Sequence, residues 1–168
     1  MPVIGFLGPA SPGPYAPYVA GFRQGLKEAG FIEGQNVAIE FRWAENKRDR
    51  LPVLAADLAQ RQVAVMFGSN ISMQAAKAAT STIPIVFVSG GDPIATRLVS
   101  NLSRPGGNIT GVSFASTALQ PKRLGLLHEL VPPPTTIAWL RDPRMSSFEM
   151  EDKEVPPAAR ELGHHSWP

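Results

Sequence analysis

The chain has 168 residues, of which 43% are hydrophobic and 18% are charged, and its formal net charge is +2. This composition is typical of a globular protein with a buried core and excludes a disordered chain. The small net charge gives no basic surface for nucleic acid, and the lack of cysteine excludes disulfides and thiolate metal sites. No apolar run approaches the length of a membrane span. No signal peptide is expected either, because Met1-Pro2-Val3 leads directly into a strand-like segment.

Five short apolar or β-branched runs, bounded by Gly, Pro and Asn, predict β-strands. They cover residues 3–7, 37–43, 63–67, 83–88 and 109–114. Four helical patterns alternate with these runs. They lie at residues 15–29, around 51–58, at 72–80 and at 95–102. Strands that alternate with helices predict an α/β fold with a doubly wound parallel sheet, for which 2-1-3-4-5 is a common strand order.

After residue 114 the chain begins another set of elements. A helical face at residues 117–131 ends at three prolines, and residues 136–140 are predicted to form a sixth strand. That strand either extends the sheet or begins a second one. Residues 148–162 have helical content, but Pro156 and Pro157 predict a broken helix, because an interior proline costs about 3 kcal/mol.

Four long strings carry a family resemblance. They are FRQGLKEAGFIEGQNVAIEFRWAE at 22–45, IPIVFVSGGDP at 83–93, LSRPGGNITGVSF at 102–114 and KRLGLLHELVPPPTTIAWLRDP at 122–143. The chain resembles the ABC transporter substrate-binding proteins of the tryptophan/tyrosine-uptake type over residues 3–143. The resemblance implies a type I periplasmic-binding-protein fold, in which two α/β lobes joined by hinge strands close on a small ligand.

The same resemblance implies that residues 1–115 form an amino-terminal ligand-binding lobe. Residues 116–168 would then be the first helix, strand and helix of an incomplete second lobe, as in a truncated chain. The implied function is non-covalent capture of an amino-acid-like or aromatic solute for an ABC permease, with no enzymatic activity, no cofactor and no metal. The implied location is periplasmic or lipid-anchored. Without a signal peptide, a complete product of this sequence would be cytoplasmic.

Loops at the carboxyl ends of strands 1, 3, 4 and 5 supply the candidate ligand contacts in such a lobe. The candidates are Ser11, Ser69, Asn70, Gly91, Asp92, Ser113 and Phe114. Hydroxyls, an amide and backbone N–H groups at helix N-termini can receive a carboxylate. Asp92, the strongest single candidate, can pair with an ammonium group, and Phe114 can lie against an aromatic or apolar side chain. Several of these residue types also favour helix caps, so capping alone remains an alternative.

Other chemistries find less support in the sequence. There is no G-x-G-x-x-G fingerprint or P-loop lysine for a nucleotide, and no acidic cluster of a phospho-receiver domain. His164 and His165 are expected to be exposed on an unstructured end, and His128 to be a surface or satisfied histidine. Two alternatives to a transport role remain open. One is a small Rossmann-like enzyme domain that uses Asp92 and Ser113, and the other is the ligand-sensing domain of a regulator.

Overall fold

A computed structural model describes residues 1–114, 116–131, 136–140 and 148–164. The strands are β1 (Val3–Gly8), β2 (Ala38–Trp43), β3 (Val65–Ser69), β4 (Ile85–Ser89) and β5 (Ile109–Ser113). The α-helices are α1 (Pro12–Glu28), α2 (Leu51–Gln60), α3 (Asn70–Ala79), α4 (Gln120–Leu130) and α5 (Phe148–Glu161). Two short 3₁₀ turns, Arg48–Arg50 and Ser116–Leu119, precede α2 and α4.

The five strands form one parallel sheet in the order β2-β1-β3-β4-β5. Strand β1 pairs in parallel with β2 on one side and with β3 on the other, and β3 pairs in parallel with β4. Helices α1, α2 and α3 connect the first four strands in chain order. The predicted α/β class and strand order are therefore confirmed.

The sheet buries different side chains on its two faces, because neighbouring residues of a strand point to opposite sides. An aliphatic core lies with α2 and α3, and Leu58, Met66 and Met73 in it are fully buried. Aromatic rings lie with α1 on the other face. Phe6 contacts Phe22 edge to face, with ring centroids 5.5 Å apart. The aliphatic face supplies most of the buried hydrophobic residues around the sheet.

The prediction of a fourth helix at residues 95–102 is wrong. The chain forms a single turn there, in which Arg97 N donates to Ile94 O at 2.8 Å and Leu98 N to Pro93 O at 2.9 Å. Arg97 has a positive φ of 56°. These two bonds around a left-handed residue are a Schellman motif, which ends a helix. The turn is therefore closed immediately after it begins, and no helix develops.

Two predictions beyond β5 are also wrong. Residues 136–140 belong to no strand, and no described segment pairs with them, so a backbone ladder there would lack its hydrogen-bond partners. The predicted break at Pro156 and Pro157 does not occur, since α5 is continuous through both. Helix α5 packs against α4 and buries Val155, and this packing offsets the backbone bonds that the prolines remove.

The chain divides into two compact units. The first comprises Met1–Ser89 and Pro93–Val112, and the second comprises Gly90–Asp92 and Ser113–Pro168. The division of the chain into lobes at residue 115 remains a prediction. Within the described residues, no helix is long and apolar enough to span a membrane.

Candidate functional site

The first unit gathers loops and helix N-termini at the carboxyl edge of its sheet. Because parallel strands point the same way, the loops after β1 and β3 and the starts of α1 and α3 share this edge. The loop after β2 fixes the loop after β1, since Ala44 N donates to Gly8 O and Asn46 N to Pro9 O, both at 2.9 Å. The edge is therefore held by backbone hydrogen bonds before any ligand is considered.

Ser11 and Tyr15 begin helix α1 at this edge. Ser11 is the N-cap residue, but its side chain makes no capping hydrogen bond. Tyr15 is half-buried and meets the indole of Trp43 edge to face, with ring centroids 5.7 Å apart. Burial raises the pKa of Tyr15, and the nearby Ser69 hydroxyl lowers it by a smaller amount. An aromatic wall thus stands beside the start of α3.

Helix α3 begins at the same edge with two buried serine hydroxyls. Ser69 is its N-cap residue and makes no side-chain capping bond. The Oγ atoms of Ser69 and Ser72 are both buried, and neither has a partner in hydrogen-bonding geometry among the described residues. The hydroxyl of Tyr15 lies near Ser69 without completing such a bond. Because first-turn N–H groups also lack intrahelical partners, the start of α3 is rich in unused donors.

Asn70, the first residue of α3, is 8% exposed and already engaged. Its side-chain nitrogen donates to Ser89 Oγ at 3.1 Å and to Thr96 Oγ1 at 3.0 Å. These contacts join the ends of β3 and β4 to the turn that follows. The structure therefore brings together the predicted Ser69 and Asn70 and adds two residues, Ser89 and Thr96, that lie 19 and 26 positions further on.

The other predicted contacts lie in the second unit. Ser113 Oγ donates to Gly91 O at 2.8 Å, and Ser116 donates from both N and Oγ to Gly90 O, at 2.7 and 2.6 Å. Asp92 is half-buried and has an interaction partner. Phe114 is 66% exposed. The segment Gly90–Asp92 is thus held by hydrogen bonds from the residues around the end of β5.

The prediction for His164 was wrong. His164 is half-buried, and its Nε2 lies 2.9 Å from Nδ1 of His128, so the two rings share a hydrogen bond. This pair joins α4 to the residues after α5 within the second unit. His165 lies outside the described residues. The described part of the chain contains no group of three or more potential metal-ligating side chains.

Sequence reasoning missed Tyr15 and Ser72. Tyr15 follows β1 at the first turn of a helix, which is a signal that could have identified it. Ser72 lies within the first turn of α3, where a serine in the sequence gives no sign of burial.

An open α/β sheet with helix N-termini, serine hydroxyls and aromatic rings at its carboxyl edge is typical of domains that bind small molecules. Residues 11–161 match the family described as ABC transporter substrate binding protein. Because this match covers most of the chain, the chain belongs to that family, as the sequence strings predicted.

A curated relative supports the same assignment. The chain is 34% identical over 94 residues to a tyrosine-binding protein of Clostridioides difficile (strain R20291). This alignment covers 55% of the chain and 27% of the relative.

Solved structures extend the likeness to nearly the whole chain. A conserved domain protein from Vibrio cholerae matches with a TM-score of 0.87 at 25% identity, over 98% of this chain and 55% of that one. An ABC domain in complex with L-Trp from Streptococcus pneumonia matches with a TM-score of 0.82 at 26% identity, over 98% and 55%. The ligand-free, open structure of a substrate-binding protein with adhesive properties from Clostridium difficile has a TM-score of 0.71 at 27% identity, over 98% and 56%. The chain therefore spans about half the length of these structures.

Proposed function

We propose that this chain carries a ligand-binding lobe of an ABC uptake transporter's substrate-binding component, and that the ligand is a small aromatic amino acid or a close analogue. The observation that carries the proposal is the start of α3, where the buried hydroxyls of Ser69 and Ser72 have no partner among the described residues. A buried hydroxyl without a partner costs on the order of 1–3 kcal/mol. A ligand that supplies an acceptor at this place would recover part of that cost.

The start of α3 suits a carboxylate. First-turn N–H groups and the positive end of the helix dipole favour an anion, and α3 has no acidic residue in its first turn to occupy them. Ser69 as a residue is only half-buried, although its Oγ points inward. A rotation about χ1 would turn this hydroxyl toward the edge, where it could donate to a ligand carboxylate.

The aromatic wall suits the rest of such a ligand. Tyr15 and Trp43 lie beside Ser69, and aromatic pairs prefer edge-to-face or offset contacts at centroid distances like theirs. Two of the matched proteins are named for aromatic amino acids, as a tyrosine-binding protein and as a complex with L-Trp. Ser11, Asn70, Gly91, Asp92, Ser113 and Phe114 remain part of the proposed set of residues that contact or support the ligand.

The mechanism is capture without bond chemistry. In the proposal, two lobes close on the ligand, and the closed form delivers it to a membrane permease. Both features come from the family resemblance, as does a periplasmic or lipid-anchored location. The curated relative and two of the matched structures are described as binding proteins or as an amino-acid complex, which favours binding over turnover.

Titration calorimetry of the chain with L-tryptophan and L-tyrosine tests the proposal. We expect saturable binding of at least one of them, and we expect L-tryptophan amide to bind at least about tenfold more weakly because it lacks the carboxylate. Indole, which lacks both charged groups, is the matched control for the ring alone. If neither amino acid binds, or if the amide binds as well as the acid, the proposed function or its carboxylate subsite is wrong.

A Ser69→Ala variant locates the subsite. We expect it to weaken L-tryptophan binding while leaving the affinity for the amide unchanged, because only the carboxylate form uses the hydroxyl. Ser81→Ala, which lies in an exposed turn after α3, is the control. Equal losses for the acid and the amide would place the carboxylate elsewhere.

A further inference from the structure

Three polar side chains form a stripe along α3 and reach the chain that follows β4. Asn70, Gln74 and Lys77 are spaced four and three residues apart and therefore share one face of the helix. Gln74 Nε2 donates to Thr96 O at 2.9 Å, and Lys77 Nζ donates to Leu98 O at 2.9 Å. The turn of residues 93–98 is thus bonded to α3 at three successive points along the helix.

The first residue of the stripe differs from the other two because it contacts side chains at the carboxyl edge. A carboxamide nitrogen has two donor hydrogens. In Asn70 these are used for Ser89 Oγ at 3.1 Å and Thr96 Oγ1 at 3.0 Å. The Asn70 nitrogen therefore has no donor left for a ligand, although the residue stands at the edge where a ligand is proposed to bind.

The residues that Asn70 joins are two fixed points of the chain. Ser89 is the last residue of β4 and is only 1% exposed. Thr96 belongs to the Schellman turn, which is closed by the backbone bonds from Arg97 and Leu98. Along the sequence, Gly90, Gly91 and Asp92 lie between these points. Asn70 consequently joins the end of β4 to the Schellman turn within the first unit.

We propose that Asn70 is a positioning residue, which sets the end of β4 and the following turn for ligand binding through Ser89 and Thr96 and does not contact the ligand through its nitrogen. This inference rests on the proposed function, because it concerns the same ligand. It assigns to Asn70 a role that acts through the hydroxyl of Thr96, so changing either residue should interrupt the same link.

A double-mutant cycle on ligand affinity tests the link. The variants are Asn70→Ala, Thr96→Val and the double variant, each titrated with L-tryptophan. We expect each single change to weaken binding by about threefold to tenfold, as the loss of one buried hydrogen bond does. Thr96→Val should have a smaller effect in the Asn70→Ala background than in the unchanged protein, because the shared bond is already absent. If Thr96→Val weakens binding by the same factor in both backgrounds, the two residues act independently and the proposal is overturned.

Thr96→Ser is the matched control, since it keeps the hydroxyl and removes only a methyl group. It should bind L-tryptophan as the unchanged protein does, whereas Thr96→Val should not. A loss of affinity in Thr96→Ser equal to that in Thr96→Val would show that packing of the methyl group matters and the hydroxyl does not. That result would contradict the proposal.

Hydrogen exchange without ligand separates this inference from the proposed function. We expect the amides of Arg97 and Leu98 to exchange faster in Asn70→Ala and Thr96→Val than in the unchanged chain or in Thr96→Ser. If the unchanged protein binds neither amino acid, the proposed function fails, while the exchange rates still decide whether Asn70 holds the turn. Unchanged exchange at both amides would overturn the positioning role. Should Asn70→Ala fail to fold, the comparison of Thr96→Val with Thr96→Ser decides the matter alone.

Discussion

At the scale of single residues, Gly68 shows how closely the carboxyl edge is packed. A Cβ atom at this position would lie 2.5 Å from Leu7 O and 2.9 Å from Cε of Met73. The first of these neighbours is backbone and cannot move aside as a side chain can. The start of α3 is therefore fixed by close approach of β3 to β1.

We predict that Gly68→Ala lowers the free energy of unfolding by about 1–3 kcal/mol, the usual cost of overpacking a core. Urea denaturation measures the change. Gly25→Ala is the control, because Gly25 lies within α1 with nothing near its Cβ position. Alanine there should stabilise the protein by about 0.5–1 kcal/mol. An unchanged midpoint for Gly68→Ala would mean that β1 and β3 can separate locally without cost.

Asp57 of α2 contacts two arginines, Arg42 of β2 and Arg61, which directly follows α2. Its carboxylate accepts a hydrogen bond from Arg42 Nε at 2.6 Å, and Arg61 Nε lies 3.3 Å away. The bond from Arg42 is the main cause that holds the pKa of Asp57 below its usual value, and Arg61 adds to it. Because the folded state favours the charged form, this contribution to stability is present above about pH 4 and is lost as the pH falls through the lowered pKa.

We therefore predict that Asp57→Asn flattens the fall in stability between about pH 4 and pH 2. Denaturation midpoints across this range measure the effect. Asp49→Asn is the control, since Asp49 makes no ion pair within the described residues. The interpretation fails if both variants lose stability with acid as steeply as the unchanged protein.

Asp92 is the residue predicted to receive a ligand ammonium group. Asp92→Asn removes the charge but keeps the size of the side chain. We expect it to weaken binding of L-tryptophan by about tenfold, as charge-assisted bonds are the stronger ones. Indole-3-propionate, which has a carboxylate and no ammonium group, should bind both forms equally, and calorimetry measures all four affinities. A matching loss for indole-3-propionate would assign Asp92 a structural role.

At the scale of elements, α5 contains the least expected local structure. Pro156 and Pro157 lie inside it, and each removes a backbone donor from the helix. In α4, by contrast, Pro121 occupies the first turn, where the missing N–H has no intrahelical partner in any case.

We predict that Pro156→Ala and Pro157→Ala each raise helical circular dichroism and stabilise the second unit by up to about 3 kcal/mol. Pro121→Ala should change neither the helical circular dichroism nor the stability. Thermal melts followed at 222 nm distinguish the two cases. A loss of stability on replacing either interior proline would mean that its ring makes contacts that outweigh the backbone cost.

The elements that sequence reasoning predicted well were those with local signals. Apolar runs bounded by glycine and proline marked the strands, and their alternation with helices led to the order of the sheet. The predicted fourth helix does not form because Arg97 adopts a left-handed conformation. Glycine usually occupies this position, and an arginine in the sequence does not indicate such a conformation. The backbone carbonyl groups of residues 96–98 accept hydrogen bonds from Gln74 and Lys77, which lie about 20 residues earlier in the chain. No local pattern contains such a contact.

At the scale of the whole molecule, the two units differ in how much they bury. All members of the main hydrophobic cluster belong to the first unit. In the described part of the second unit, Val155 is the one hydrophobic residue identified as buried. Since burial of apolar surface is the main stabilising term, the first unit should be the more stable one.

Native-state hydrogen exchange tests this difference. We predict that amides of β1 and β3 exchange far more slowly than those of α4 and α5, because local opening reflects local burial. Amides of α1, which exposes most of its residues although it lies in the first unit, give an internal reference. Equal protection in β1 and α4 would contradict the prediction.

The candidate site could be predicted less completely than the fold. The topology rule directed attention to the carboxyl ends of the strands, and so to Ser69, Asn70 and Asp92. It could not show that the hydroxyl of Ser72 is buried without a partner among the described residues, or that both donors of Asn70 are used. Those properties depend on side chains that meet only after the sheet has formed.

The fluorescence of Trp43 can serve as a probe of ligand binding to the first unit. Its indole lies over Gly8 and beside Tyr15, at the edge where the ligand is proposed to bind. The chain has two other tryptophans, Trp139 and Trp167. A variant with phenylalanine at those two positions would fluoresce from Trp43 alone. Titration of that variant with L-tyrosine, excited at 295 nm where tyrosine absorbs little, would turn occupancy of the carboxyl edge into an optical signal.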